Sequence, residues 1–218
     1  MIITIILTTT VHVQNKTNLF QVNKDERIKV YINSIIQWLE KTNFYIVVIE
    51  NTGYDYPELQ EYKRKYKNRF KILSFKEDEN VQAEYLKYDD SKGSGELFSI
   101  NYAYYNSEII QKSDFIIKVT GRFYIPDLEN YLNSVDLKKY DCLSQNDINR
   151  CEMVGCNTKW FHIIFNQYMI DKYNKYDFHV ENIYKYRIHT FFKNVLICDK
   201  FQIEPTQRGG NSEIYTDI

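Results

Sequence analysis

The sequence predicts an α/β fold in which a central, mostly parallel mixed sheet carries helices on both faces. Two observations lead to this prediction. Short apolar runs rich in β-branched residues alternate, through the first half, with segments whose apolar residues recur at helical spacing. The apolar runs also end in polar turns, and in such sheets ligands bind at the carboxyl ends of the strands. We therefore expect a functional site among these turns.

Length and composition indicate one globular domain. The chain has 218 residues, is 44% hydrophobic and carries a net charge of -1, from 28 Lys plus Arg and 29 Asp plus Glu. We predict a single domain over residues 1–218. The charge balance argues against a nucleic-acid partner, because nucleic-acid-binding proteins usually carry a basic excess. No apolar run reaches membrane-spanning length, so we expect no membrane span and a cytoplasmic location.

The four cysteines do not follow a metal-binding pattern. None belongs to a Cys-x-x-Cys pair, and no second pair follows Cys151 and Cys156 at zinc-finger spacing. We expect reduced thiols.

Strand and helix alternate in order through the first half. The first strand is predicted at residues 2–7, and Asn23 caps the helix that follows, with Glu26 as the second half of a capping box. Pro57 suits the first turn of a second helix, and "DDSKGSGE" (89–96) leads into a third. The other strands are predicted at residues 44–50, 69–75 and 114–119. This order favours parallel strands joined by helices.

The second half is less regular. Its predicted elements are strands at 140–145 and 151–155, helices at 157–173 and 179–192, and a last strand or hairpin at 194–204. The tail is polar and contains glycine. Within it, "RGGNSE" (208–213) is interpreted as a mobile loop that closes over a ligand, or as a frayed end.

The stretch "KGSGE" (92–96) places two glycines and a cation at a helix start. Gly93 lets backbone N–H groups approach an anion, the helix N-terminus favours negative charge, and Lys92 adds a positive one. The Gly-Lys-Ser/Thr ending of a Walker loop is missing. Glu96 either offsets the helix dipole or holds a sugar hydroxyl. The alternative for the whole stretch is a flexible turn before a helix.

The stretch "KVTGR" (118–122) adds a second basic turn, at a neighbouring strand end. Arg122 can grip a phosphate or a carboxylate through two parallel hydrogen bonds. Lys118 faces either the same cleft or a solvated strand face. The alternative for Arg122 is a structural ion pair with Asp127 or Glu129. Two such turns at successive strand ends together favour an anion site.

Carboxylates and hydroxyls supply further candidates. Glu50 ends the second strand and Thr8 follows the first, so either can bind a ribose or a base, although both also suit turn chemistry. Glu181 opens the helix predicted at 179–192 and could act as a general base; its alternative is an ordinary first-turn glutamate. Glu152 is a rival, because a carboxylate inside a strand needs a partner or a purpose.

These motifs together resemble a known family. The series "KGSGE", "SDFIIKVTGRFYIP", "VEN" and "RGGNSE" looks like small glycosyltransferases of the GT-A type, with relatives in bacterial surface-polysaccharide clusters. It is also similar to the first domain of the multidomain glycosyltransferase of a large algal virus. The resemblance covers most of the chain and implies a single Rossmann-like GT-A domain.

The resemblance also implies an activity. Such an enzyme would transfer a hexose or deoxyhexose from a nucleotide diphosphate sugar, a UDP-sugar by expectation, to a hydroxyl of a glycan or glycoprotein. A viral relative would do so in the host cytoplasm. Thr8 and Glu50 would lie near the base and ribose, Glu181 would be the catalytic carboxylate, and Arg122 would stabilise the leaving group. The positions expected near the diphosphate and donor sugar are Lys92, Gly93, Glu96, Lys118, Thr120, Gly121 and Arg122.

The sequence departs from this family at the Asp-x-Asp element, which typically holds Mn²⁺ or Mg²⁺. By strand order that element should lie near residues 118–122, and no acid is there. Either Asp89 and Asp90 bind a metal by a less usual arrangement, or Lys and Arg neutralise the diphosphate directly. The metal ligands therefore stay unassigned, and we expect metal dependence to be weak or unconventional.

A noncatalytic alternative stays open. The same chain could be a nucleotide-sugar or glycan recognition domain of a larger glycan-building assembly. Such a domain would bind the ligand without turnover.

Overall fold

The computed structural model describes residues 1–13, 20–171 and 173–218, and a seven-stranded sheet forms its centre. The strands are β1 (Ile3–Thr9), β2 (Tyr45–Glu50), β3 (Phe70–Ser74), β4 (Phe115–Thr120), β5 (Cys142–Ser144), β6 (Met153–Asn157) and β7 (Val195–Ile197). Their order across the sheet is β3-β2-β1-β4-β6-β5-β7. Strands β8 (Gln202–Gln207) and β9 (Ile214–Asp217) form a separate antiparallel pair.

Helices connect and cover these strands. They are α1 (Lys24–Lys41), α2 (Gln60–Lys65), α3 (Lys92–Asn106), α4 (Glu108–Gln111), α5 (Leu128–Ser134), α6 (Phe161–Ile164) and α7 (Val180–Phe191). Short 3-10 helices lie at Pro57–Leu59, Glu77–Glu79, Val81–Tyr88, Leu137–Lys139 and Thr158–Trp160. Asn23 caps α1 as predicted, because its side chain accepts hydrogen bonds from the backbone N–H groups of Asp25 and Glu26.

The first four strands are parallel, as their sequence order predicts. β1 pairs with both β2 and β4, and β2 pairs with β3. The register places Thr8 beside Thr120 and Thr9 beside Glu50. The carboxyl ends of three neighbouring strands therefore meet at one edge. The mostly parallel mixed sheet predicted from the sequence is confirmed, with β6 antiparallel to both β4 and β5.

Alternation along β1 shows why helices cover both faces. Ile5 and Leu7 belong to the apolar core on one face, which includes Trp38 of α1. Ile6 lies between them in sequence and belongs to the core on the other face, which includes Ile100 of α3. Successive strand side chains point to opposite faces, so a strand that is apolar throughout must be covered twice.

The long helix predicted at residues 157–173 is wrong. Only a 3-10 turn and the four-residue helix α6 form there, and Lys172 lies outside the described residues. The reason is Arg187 of α7, which is 5% exposed. Its guanidinium donates hydrogen bonds to the carbonyl oxygens of Ile164, Asn166 and Tyr168. A continuing helix would have used these carbonyls internally.

Residues 194–204, predicted as a last strand or hairpin, contain strand β7 and the start of β8. The two do not form a hairpin, because β7 pairs in parallel with β5 while β8 pairs with β9. The polar tail is thus partly a β-ribbon. Two apolar residues in it explain why it is ordered against the body: Tyr215 is 8% exposed and Ile218 is 1% exposed.

All four cysteines are free. Among the helices in the described ranges, none combines the length and the apolar character needed to cross a lipid bilayer.

Candidate functional site

A cleft of about 560 Å³ opens at the carboxyl ends of β1, β2 and β4. Thr8 and Thr9 of β1, Thr52 after β2 and Thr120 of β4 line its floor. The chain leaves β1 toward β2 on one side, while β4 lies on the other side of β1. Such a reversal of strand order opens a crevice between the connecting segments, and this is where open α/β sheets bind ligands.

The first turn of α3 forms one wall of the cleft. The Ser91 hydroxyl accepts a hydrogen bond from the backbone N–H of Gly93 and thereby caps the helix. Lys92, Gly93 and Glu96 all line the cleft. A Cβ atom on Gly93 would lie 2.5 Å from Cβ of Val180, so only glycine lets the starts of α3 and α7 pack this closely. The helix N-terminus therefore faces the ligand space.

The loop between β8 and β9 forms the opposite wall. Arg208, Gly209 and Gly210 line the cleft. The Arg208 N–H donates to the Glu213 carbonyl at 2.8 Å, and the Gly209 carbonyl accepts from the Phe20 N–H at 3.0 Å. One hydrogen bond therefore closes the loop between its two ends, and the other attaches it to the segment before α1.

Several cations converge on this space. Burial lowers the pKa of Lys92, and the positive charges of Arg208, Arg122 and Arg27 lower it further. Like charges gathered around one pocket repel each other, and an anion of more than one charge would relieve that repulsion. The part of the cleft around these cations is thus suited to a phosphate-bearing ligand. Carboxylates line the cleft as well, at Glu77, Asp78, Asp89, Asp90, Glu96, Glu152 and Glu181.

Two of the cations predicted to bind the ligand, Lys92 and Arg122, line the cleft. Arg122 is the more buried of the two, at 9% exposure. Burial lowers its pKa. Its guanidinium donates to the Gln207 carbonyl at 3.2 Å and to the Gln21 side-chain oxygen at 3.4 Å. Its described partners are therefore neutral oxygens, whereas the alternative drawn from the sequence was an ion pair with Asp127 or Glu129. Burial is the largest influence on the pKa of Arg122, and the charge of Glu152 opposes it only as a smaller one, so the guanidinium lies at the cleft bonded to neutral oxygens.

Lys118 lies beneath the cleft instead of lining it. Its ammonium is fully buried, pairs with Glu96 at 2.7 Å and donates to the Cys151 carbonyl at 2.6 Å. Burial alone would lower the pKa of Lys118, but Glu96, Cys151 and Glu152 together outweigh burial and the pKa is raised. The second Glu96 oxygen accepts from the Thr8 hydroxyl at 3.4 Å. Lys118 and Thr8 together hold Glu96 toward the ligand space.

Glu181 reaches the same cleft from the first turn of α7. Its charge opposes the lowering of the pKa of Lys92 and contributes to a raised pKa at Glu96, where burial is the largest cause. The rival carboxylate Glu152 also lines the cleft, but Arg150 pairs with it at 3.2 Å. Glu181 is therefore better placed to accept a proton from a bound group.

The cleft brings together most of the residues predicted from the sequence. Those that line it are Thr8, Lys92, Gly93, Glu96, Thr120, Arg122 and Glu181. Glu50 and Gly121 lie behind it. Glu50 is 0% exposed, and its carboxylate accepts hydrogen bonds from the N–H groups of Val11, Thr52 and Tyr54. A Cβ atom on Gly121 would lie 2.7 Å from the Thr8 carbonyl oxygen, so this glycine permits close packing of strand ends.

Several residues that were not predicted from the sequence also line the cleft. Two of them, Arg27 and Tyr31, lie on α1. Arg27 is 3% exposed and donates to the Thr10 carbonyl at 2.6 Å and to the Tyr31 hydroxyl at 2.8 Å. A charged residue on the buried side of a helix was the available signal.

The residues at the end of β4 do not fit a divalent cation. Lys118 stands where paired carboxylates would be expected, and its ammonium already neutralises Glu96. Asp89 and Asp90, the alternative ligands, both line the cleft, and one Asp89 oxygen accepts from the Ser91 N–H at 2.9 Å and from the Tyr176 hydroxyl at 2.6 Å. Within the described ranges, no group of three or more His, Cys, Asp or Glu side chains is arranged to hold a metal ion.

Comparison with known proteins finds likeness in structure alone. No family model matches the sequence, and no curated protein matches it. Among solved structures, the galactosyltransferase LgtC in complex with donor and acceptor sugar analogs matches with a TM-score of 0.54 and 12% identity. That match covers 90% of this chain and 73% of LgtC.

Two further glycosyltransferase structures are similar. S. aureus TarS 1-349 matches with a TM-score of 0.52 and 13% identity, over 91% of this chain and 58% of that one. The bifunctional enzyme WbbM matches with a TM-score of 0.52 and 13% identity, over 90% of this chain and 38% of that one. This chain thus spans under two thirds of either protein. The resemblance to the algal-virus domain stays a prediction. The GT-A fold predicted from the sequence is confirmed by the likeness to these three glycosyltransferase structures.

Proposed function

We propose that this chain is a glycosyltransferase that moves a hexose or deoxyhexose from a UDP-sugar to a hydroxyl of a glycan or glycoprotein. The observation that carries the proposal is one cleft in which Lys92, Arg122 and Arg208 face Glu96 and Glu181. Cations suit a diphosphate, and carboxylates suit the hydroxyl groups of sugars. The similar structure of a galactosyltransferase with sugar analogs bound supports the proposal.

The reaction needs a stabilised leaving group. As the acceptor oxygen bonds to the anomeric carbon of the donor, the bond between that carbon and the phosphate oxygen breaks. The electron pair leaves with UDP, whose diphosphate gains negative charge. Lys92 and Arg122 would stabilise that charge, because fixed cations in a partly buried site need no reorganisation during the reaction.

The acceptor hydroxyl must also lose its proton. Glu181 would take it as a general base if the transfer inverts the anomeric configuration. Glu96 would instead hold a hydroxyl of the donor sugar, because Lys118 and Thr8 fix its orientation. The two carboxylates would therefore have different tasks, one in proton transfer and one in positioning.

We propose that the fixed cations perform the neutralisation for which Mn²⁺ or Mg²⁺ was considered. The buried Lys118–Glu96 pair at the end of β4 supports this, since it places a cation where a metal-binding acid pair was expected.

Calorimetric titration with UDP and a panel of UDP-sugars tests the proposal, with Mn²⁺ in one series and EDTA in the other. We expect binding in both series, with affinities that agree to within a small factor, because the fixed cations supply the neutralisation in each. Absence of nucleotide binding in every condition would sink the proposal. Binding only with Mn²⁺ would overturn the role given to the fixed cations.

The noncatalytic alternative predicts the same binding without turnover. Mass spectrometry of an incubation with a UDP-sugar and saccharide acceptors separates the two, because only a transferase gives a product heavier by one sugar residue. Release of UDP with free sugar would also show catalysis, with water as the acceptor.

A further inference from the structure

Exposed aromatic side chains lie on two chain segments, 85–88 and 168–178, that adjoin residues lining the cleft. Their exposed fractions range from 37% to 88%, and we call the group the aromatic rim: Tyr85, Tyr88, Tyr168, Tyr173, Tyr176 and Phe178. Large aromatic surfaces of this kind are costly to leave in water, and a contiguous group marks an interaction site more often than isolated residues do. None of these aromatic residues has a role in the proposed reaction.

The fold holds the base of the rim firmly. Ile170 and Tyr176 form an antiparallel bridge, and the Asp177 N–H donates to the Met169 carbonyl at 2.9 Å. Met169 is 3% exposed and anchors this short ribbon in the apolar core. Arg187 fixes the approach to it by donating to the Tyr168 carbonyl. The rings are therefore presented from an anchored backbone.

The rim is continuous with the cleft. The Tyr176 hydroxyl donates to Asp89, which lines the cleft, at 2.6 Å. The Ser91 hydroxyl, at the cap of α3, donates to the Phe178 carbonyl at 2.7 Å. Burial raises the pKa of Tyr85 to about 12, and the neighbouring Asp89 and Tyr168 add to that shift, which places both parts of the rim together. Only His179 and Val180 separate Phe178 from Glu181 along the chain.

The chemistry of the rim selects a class of ligand. An aromatic face is electron-rich and attracts the polarised C–H groups on one face of a pyranose ring, while phenol hydroxyls bond sugar hydroxyls. Charges around the rim are mixed, with Lys87 and Lys175 beside Asp89 and Asp177. A surface of mixed sign offers no net attraction to a polyanion or an anionic membrane. It suits a neutral saccharide.

We propose that the aromatic rim is the acceptor platform, which binds a neutral saccharide so that one of its hydroxyls reaches Glu181. This inference rests on the proposed function and names the partner of the same site. The donor would occupy the charged cleft, and the acceptor would stack on the rim at its mouth. Two different surfaces would then recognise the two substrates.

Saturation-transfer NMR tests the platform with defined probes. These are the methyl glycosides of glucose, galactose, mannose, N-acetylglucosamine and rhamnose, together with lactose and cellobiose, each with UDP at saturation. The variants are Tyr168→Ala and Tyr173→Ala. Tyr105→Ala is the matched control, because Tyr105 is 64% exposed but lies near the far end of α3. UDP affinity, measured by calorimetry on the wild type and every variant, reports the donor site separately.

We expect at least one probe to bind, and each rim variant to weaken it about 3- to 10-fold, the contribution of one aromatic contact. The UDP affinity of every variant should equal that of the wild type. The Tyr105→Ala protein should also bind the saccharide probe as the wild type does. If no probe binds, or if probes bind the rim variants as well as the wild type, the platform is overturned. The platform is also overturned if the rim binds phosphatidylcholine vesicles and no saccharide. Failure of UDP to bind would instead overturn the donor site.

Discussion

At the scale of single residues, the cations discussed above fall into two groups. Lys92 and Arg122 line the cleft, whereas Lys118 and Arg187 are buried supports that bind a carboxylate and loop carbonyls. The sequence pattern does not distinguish these groups, because all are basic residues near apolar segments. Position in the fold decides the role, since Lys92 and Arg122 line the cleft and Lys118 and Arg187 do not.

Arg122→Ala should lower kcat/KM about 10²- to 10³-fold, because one preorganised charge-stabilising donor is lost next to the leaving group. Steady-state kinetics with the UDP-sugar that binds best measures the effect. Arg64→Ala is the control, since Arg64 is exposed on α2 and is not among the residues that line the cleft. Full turnover of the Arg122→Ala protein would remove this residue from the mechanism.

UDP affinity should fall as pH rises through the lowered pKa of Lys92. Lys92 loses its proton at a lower pH than an ordinary lysine, whose pKa is 10.5. Deprotonation removes a charge that attracts the diphosphate, so binding weakens by about 10-fold or more. Calorimetric titrations at successive pH values would follow this change.

Lys92→Arg provides the comparison for that profile. Arginine stays protonated throughout the range, so its affinity should lack the loss caused by Lys92. Deprotonation of uracil affects both proteins alike. Parallel pH profiles for the two proteins would show that Lys92 does not contact the phosphates.

At the scale of elements, a buried ion pair joins strand β4 to helix α3. Lys118 of β4 and Glu96 of α3 lie 2.7 Å apart, with the lysine fully buried. Removal of one partner leaves a charge in a poorly solvated place, which costs more than the pair itself contributes. The pair therefore makes the helix that carries the proposed donor site depend on the central strand.

Lys118→Met should reduce the free energy of unfolding by about 3–5 kcal/mol, because Glu96 then lacks its counter-ion. The double variant Lys118→Met with Glu96→Gln should recover part of that loss, since the unpaired charge is gone. Urea denaturation of the two proteins measures both values. Equal stability of the wild type and the Lys118→Met protein would show that the pair does not support the fold.

Alanine substitution at two glycines near the ends of elements should affect different properties, ligand binding in one case and stability in the other. On Gly209, a Cβ atom would lie 2.5 Å from the Arg122 guanidinium, a flexible group that can shift. On Gly121, it would meet the backbone of β1. Gly209→Ala should therefore weaken UDP binding about tenfold with little change in melting temperature. Gly121→Ala should destabilise the fold by about 1–3 kcal/mol.

Calorimetry and thermal denaturation on both variants separate these effects. A stable Gly121→Ala protein, or a Gly209→Ala protein that binds UDP normally, would contradict the close contacts on which the two expectations rest.

At the scale of the whole molecule, the sheet gathers distant parts of the chain into one cleft. Thr8, Lys92, Arg122, Glu181 and Arg208 are spread over most of the sequence, yet all line it. Parallel strands put their carboxyl ends at one edge, and the reversal of order beside β1 opens the crevice. Both ends of the described chain contribute to the site, because β1 supplies its floor and the last two strands carry the loop with Arg208.

The sequence by itself determined the parallel half of the sheet, the helices on both faces and two basic glycine-containing stretches, one at the start of α3 and one at the end of β4. These features are local. The spacing of apolar residues, the helix caps and the glycine positions can each be recognised within a short stretch of sequence, and each acts over a short distance. The predicted strands of the first half accordingly lie close to the observed ones, as residues 44–50 do to β2 (Tyr45–Glu50).

Only the tertiary structure decided which charged residues line the cleft. Lys118 and Glu50 were predicted as ligand-binding residues and are buried beneath or behind it, while Arg27 was not among the predicted site residues and lines it. Arg187 likewise ends a helix that the local pattern favours, and β9 orders a polar tail. The physical reason is common to all: the state of a charge depends on partners far away in sequence, and burial is costly enough for those partners to override local preference.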